Sequence, residues 1–199
     1  MSKAAVGAIK LFEHLSDTGT RGRITQKFLS GLLKLIHPRG KAVDDNLMLA
    51  YPNCPQQWRK DIRSLMYENL AWTITEILAL QPDPSKIFDW IKSVKNIEIA
   101  DGLIDAGKGA VFMSAHFGNW EIMASWYAQY TKRRGHKMYV VAQGIHDKDV
   151  SAYIDGLRRN MGVDTLPSDY SVQKYARTAL SPVLLSCSLG YHFPVEAYD

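Results

Sequence analysis

An α/β fold is predicted: a mostly parallel central sheet flanked by helices, behind a helical N-terminal third. Three observations lead there. From residue 110 onward, short apolar runs alternate with segments of helical period, the rhythm of parallel strands joined by crossover helices. Before residue 94 that alternation is missing, and apolar residues recur at helical spacing instead. The chain has 199 residues, 46% hydrophobic and 22% charged, enough for one sizeable core. It is therefore read as one domain over residues 1–199, with residues 1–93 as the helical part and 94–199 as the α/β part.

The elements follow in order. Ile24, Phe28, Leu32, Leu35 and Ile36 recur at helical spacing, with Lys27 and Lys34 off the stripe. Such a stripe fits a core-facing helix and an interfacial one equally well. His37-Pro38-Arg39-Gly40 ends it. Residues 55–80 hold the clearest helix, with Trp58, Ile62, Leu65, Met66, Leu70, Ile74, Ile77 and Leu78 on the 3.6 period and Pro82 and Pro84 beyond it. A shorter helix is expected over 85–93. Residues 94–100 alternate weakly, which allows a strand, and 101–106 read as a short helix. Strands are expected at 110–115, 138–142, 163–166 and 182–188. Helices are expected at 120–132, 148–161 and 169–180, with Gly162 as a C-cap of the middle one.

Charge is uneven. The net charge is +4, yet residues 1–41 hold eight Lys/Arg against Glu13 and Asp17, a local +6. A basic, partly amphipathic N-terminal region suits an anionic membrane surface or another acidic partner. No apolar run approaches the roughly 20 residues of a spanning helix. Glu13, His14 and Asp17 interrupt any signal-peptide core. Cys54 and Cys187 lie far apart and are read as reduced thiols. No metal is expected, because His14, His37, His136, His146 and His192 lack ligand spacing with Cys or acids. Gly107-Lys108-Gly109 lacks the spacing and the Ser/Thr of a phosphate-cradling loop. No nucleic-acid module is present, and the aromatics do not interleave with the cations.

The segment Ser114-Ala115-His116-Phe117-Gly118-Asn119-Trp120-Glu121 carries the chemistry. It puts a histidine where a buried strand ends and a helix begins, the place where open α/β sheets bind ligands. A carboxylate follows five residues later. His116 is thus a candidate general base and Glu121 its orienting partner. Gly118 permits a tight turn or close backbone approach. Asn119 is a good N-cap, and the free amides of the helix start suit a developing oxyanion. Trp120 fits a pocket wall or plain core. A lone histidine here would more often be a hydrogen-bonded core residue, and a lone Glu121 an ordinary first-turn carboxylate. Arg158 and Arg159 precede a short strand, where an arginine either clamps a phosphate or sits solvated at a helix C-terminus. Lys132, Arg133, Arg134, His136 and Lys137 form a basic cluster that fits a solvated helix end, anionic lipid or an acidic carrier.

His-Phe-Gly-Asn-Trp-Glu, with the glycine pair and apolar run before it, resembles the His-x4-Asp/Glu motif of the bacterial lipid A biosynthesis (lauroyl/myristoyl) acyltransferases, within the wider glycerolipid acyltransferase group. Asn46-Leu47-Met48-Leu49-Ala50-Tyr51-Pro52 is similar to the family's N-terminal Asn-Leu-x3-Phe-Pro segment, and residues 157–163 to its arginine segment. The resemblance runs collinearly over roughly residues 20–180. It implies transfer of a fatty acyl chain from acyl carrier protein, or coenzyme A, to a hydroxyl of a lipid A precursor or related glycolipid. No cofactor is implied beyond the acyl thioester co-substrate. His116 would be the base, Glu121 its partner, Arg159 a phosphate contact, and Gly118 and Asn119 substrate-binding. The implied place is the cytoplasmic face of the bacterial inner membrane, peripherally, since the family's N-terminal hydrophobic anchor has no counterpart here. The family's Asp-Gln element and Phe-Phe-Gly loop are also missing, and residues 181–187 look like a later family strand. That departure motivates a second reading, a truncated and catalytically silent paralogue that binds lipid or carrier protein. A third is a hydrolase of acyl thioesters.

Overall fold

The computed structural model describes residues 2–17, 19–107, 110–142, 146–168 and 183–187. They form two compact units, residues 9–79 and residues 1–8 with 80–199.

Helix α1 spans Ser2–Leu15 and α2 spans Thr20–Ile36. Between them Asp17 caps α2: its carboxylate accepts from the amides of Gly19 and Gly22, each at 2.8 Å. Those two amides hold the Asp17 carboxyl below its usual pKa. Helix α3 covers Gly40–Ala50 and α4 covers Gln56–Ala79. α2 and α4 pack along each other. Lys34 meets Glu68 at 3.4 Å, and the Tyr67 hydroxyl donates to the Pro38 carbonyl at 3.0 Å. The buried face of α4 includes Ala71, Thr73 and Thr75 as well as Tyr67, Ile77 and Leu78. The threonines tolerate burial because their hydroxyls donate to the carbonyls of Asn69 and Ala71, one turn back. Leu65, on the expected stripe, is exposed.

The stripe of α2 also faces outward. Ile24, Phe28, Leu35 and Ile36 are exposed, while Gly22, Thr25, Gln26, Leu29 and Ser30 are buried. Leu32, also on the stripe, is half-buried, and α2 packs by the side opposite its exposed apolar residues. No helix of the described residues is long and apolar enough to cross a membrane.

In the other unit, a 3-10 turn at Pro84–Lys86 leads into a single helical turn, α5, Ile87–Trp90. The helix expected to residue 93 stops there, because Ile91 adopts an extended backbone. The strand allowed at 94–100 is a correction: residues 97–105 form helix α6, Ile97–Asp105. Its Ala100 and Ile104 are buried, so the helical stripe prevails over the weak alternation.

Four strands follow: β1 Ala110–Ser114, β2 Met138–Ala142, β3 Val163–Pro167 and β4 Val183–Cys187. They form one all-parallel sheet in the order β1-β4-β2-β3. Helix α7, Trp120–Arg133, joins β1 to β2, and α8, Lys148–Asn160, joins β2 to β3. α7 buries Ala124 and Ala128 against Met138, Val140 and Val163, and its small residues let helix and sheet approach closely. Gly162, at φ +89°, ends α8 in a conformation that favours glycine. The helix expected at 169–180 lies outside the described residues. The α/β reading with a helical N-terminal third thus matches the architecture.

Candidate functional site

β1 delivers the chain to the carboxyl edge of the sheet at Ser114. Phe117 donates its amide to the Ala115 carbonyl at 2.8 Å, and Gly118 turns the backbone at φ +58°. That positive φ is a real demand for glycine. Asn119 then caps α7 as its residue type suggests, its side-chain oxygen accepting from the Ile122 amide at 3.0 Å. Asn119→Ala is expected to cost about 1 kcal/mol of stability, measured by denaturant unfolding. The other first-turn amides of α7 have no carbonyl one turn earlier to bond. They supply positive potential beside His116.

The imidazole of His116 is exposed and packs on the Trp120 ring, centroids 4.6 Å apart. Glu121 is the second residue of α7. Its carboxylate is held by Arg158 of α8: Nε donates to one oxygen at 3.1 Å and Nη2 to the other. Both side chains are about four-fifths buried, with 19% and 20% exposure. Asp155 adds a longer contact of 3.8 Å to the same guanidinium. A two-pronged, charge-assisted pair of this kind fixes both groups. Among the described residues no hydrogen bond joins His116 to Glu121.

The structure therefore brings His116, Gly118, Asn119 and Glu121 together at one sheet edge. Arg159 sits exposed on the last turn of α8 and does not join them. Its neighbour Arg158 does, and the sequence does carry a hint. Ile154 lies on the apolar face of α8, and Arg158 stands one helical turn after it, on the side facing the fold. The basic cluster is partly spent internally. Arg134 pairs with Asp101 and Asp105, and Arg133 lies 3.6 Å from the centroid of the Phe88 ring.

Beside the His116 loop opens a cleft of about 420 Å³. Val94, Phe112, Met113, Ile122, Met123 and Trp126 make its walls, and Ser114 and Asn119 stand at its His116 end. The extended run after α5 supplies Ile91 and Val94, so the early end of that helix has a use. Tyr127 also lines the cleft, and its hydroxyl is buried without a hydrogen-bond partner. Burial pushes that phenol up to about 12. Tyr127→Phe removes the unpaired hydroxyl and is expected to leave stability unchanged or raise it by up to about 1 kcal/mol. Thermal unfolding checks this.

An apolar cleft and a histidine share the carboxyl edge of a parallel sheet, and a paired carboxylate opens the next helix. No curated protein matches the chain. The model of one family, described as bacterial lipid A biosynthesis acyltransferase, matches residues 20–175, which take in every element from α2 through β3, and the chain belongs to that family.

Proposed function

We propose that this chain transfers a fatty acyl group from acyl carrier protein, or coenzyme A, to a hydroxyl of a lipid A precursor or related glycolipid. Family membership supports the acyltransferase class. The observation that carries the finer reading is the apolar cleft ending at Ser114 and Asn119, on either side of His116. A fatty chain lying there puts its thioester beside the imidazole.

In this mechanism His116 takes the acceptor hydroxyl's proton as the oxygen attacks the thioester carbonyl. Gly118, Asn119 and the following amides of α7 face the carbonyl oxygen as it gains charge. Collapse of the tetrahedral adduct expels the carrier thiolate, which recovers the proton from the imidazolium. No serine or cysteine nucleophile is used, so the acyl group moves in one displacement. Glu121 offsets the imidazolium charge. Its oxygens rest on Arg158, so engagement of His116 calls for Arg158 to exchange onto an anion, such as a phosphate of the acceptor. Arg159, exposed on the last turn of α8, supplies a further phosphate contact. The protein works peripherally at the cytoplasmic face of the inner membrane.

The test is mass spectrometry of products from the purified chain given acyl carrier protein and coenzyme A thioesters with a lipid extract. A new acyl-lipid supports the reading and names donor and acceptor together. Free fatty acid without acyl-lipid points to a hydrolase. The hold of Arg158 on Glu121 also fits a silent lipid- or carrier-binding paralogue, and binding without any product selects that reading.

A further inference from the structure

We propose that the outward face of α2 is a docking surface for an anionic lipid bilayer. The peripheral placement proposed above rests on such a surface. Binding to vesicles, however, is read without turnover, so this inference and the acyltransferase reading fail separately.

The face is inverted relative to an ordinary surface helix. Ile24, Phe28 and Leu35 are 63%, 64% and 78% exposed. At 100° per residue they fall within an arc of about 40°. The opposite side of the helix is buried, and it is the polar side: Thr25, Gln26 and Ser30 beside Gly22 and Leu29. Thr25 and Gln26 have partners for their polar groups. The Thr25 hydroxyl donates to the Arg21 carbonyl at 2.9 Å, and the Gln26 amide to the Glu68 carbonyl at 3.4 Å. The helix thus turns a largely polar side, with Leu29, inward and leaves Ile24, Phe28 and Leu35 with solvent. A contiguous exposed apolar stripe of this kind marks a surface that something else covers.

Charge identifies the occupant. α2 holds Arg21, Arg23, Lys27 and Lys34 and no acidic residue. Arg23, Lys27 and Lys34 line one border of the stripe, and Arg21 borders the other. Lys34 already meets Glu68 at 3.4 Å and Arg21 meets Asp17 at 3.3 Å, so Arg23 and Lys27 are the cations this face offers. Long cationic stems beside an apolar stripe lay their methylenes on acyl chains and raise their heads to phosphates. The Phe12 ring of α1 adds to the patch, 6.1 Å from the Phe28 ring, and Leu11 and Leu15 of that helix are exposed too. A second copy of the chain fits less well, since a two-fold interface would set the same cation row against itself.

The experiment is co-sedimentation of the full chain with vesicles of phosphatidylethanolamine and phosphatidylglycerol, and with neutral phosphatidylcholine vesicles as comparison. The chain is expected to partition onto the anionic vesicles and to leave them as salt rises. Ile24→Ser/Phe28→Ser/Leu35→Ser should lower that partition at least tenfold with an unchanged melting temperature, since none of the three is buried. Arg23→Gln/Lys27→Gln should lower it as well and flatten the salt dependence. If the triple variant misfolds, an environment-sensitive dye on Phe28→Cys, with Cys54 and Cys187 replaced by Ser, reads the same surface through a blue shift on anionic vesicles. Undiminished partition of the folded triple variant, or a dye that does not shift, overturns the inference. So does a dimer of the wild-type chain that the triple variant abolishes.

Discussion

His116→Ala is expected to lower acyl transfer by about 10²–10⁴-fold, the usual share of a positioned general base. The loss should fall on kcat, because the apolar cleft proposed to seat the acyl chain is untouched. Stability should scarcely change. The imidazole is exposed, and its described contact is with the Trp120 ring. Surface substitutions of that kind usually stay within about 0.5 kcal/mol. Steady-state rates and a melting curve on the same preparation separate the two effects. Turnover at the wild-type level in a folded variant would remove His116 from the role of base.

Arg158→Met is the second substitution with a large expected effect. It leaves Glu121 four-fifths buried and without its two-pronged partner. Stranding a fully buried charge costs about 3–5 kcal/mol. Partial exposure brings the expected cost here to about 1–3 kcal/mol. Glu121→Gln should cost less, since an amide oxygen still accepts from the guanidinium. Arg158→Met in the Glu121→Gln background should be milder than in the wild type, because no charge is stranded. A double-mutant cycle by urea unfolding should therefore return a coupling of about 1–3 kcal/mol between the two sites. Strict additivity would mean that the pair is not formed in solution.

How much of this was legible in the residues differs from element to element. The four strands fall within a residue or so of their expected places, because short apolar runs bounded by Gly and Pro leave little choice. α7 begins where Asn119 says it should, since a cap is a local device. The α2 stripe shows the limit of periodicity. It reports that one face is apolar and says nothing about which face is inside. Here the inward side carries Leu29 with Thr25 and Gln26, whose hydroxyl and amide bond carbonyls of other segments, Leu15 and Glu68. The Glu121–Arg158 pair spans 37 residues. Its formation depends on how α7 and α8 lie against the sheet, which neither local sequence encodes. The helix at 97–105 in place of a strand is a contest between two weak patterns, decided by what Ala100 and Ile104 pack against.

The sheet order has a consequence for assembly. β4 lies between β1 and β2, with Val183 opposite Ala110 on one side and Met138 on the other. During synthesis the chain therefore emerges with β2 and β3 able to pair, while β1 waits for a neighbour that leaves the ribosome some seventy residues after it. Until then the growing polypeptide carries two open strand edges facing the same vacant lane, the kind of surface that recruits wrong partners. Insertion of β4 closes both at once, and it is a late step of high contact order. The loop bearing His116 hangs from β1, so the candidate site is among the last parts of the molecule to take its final form.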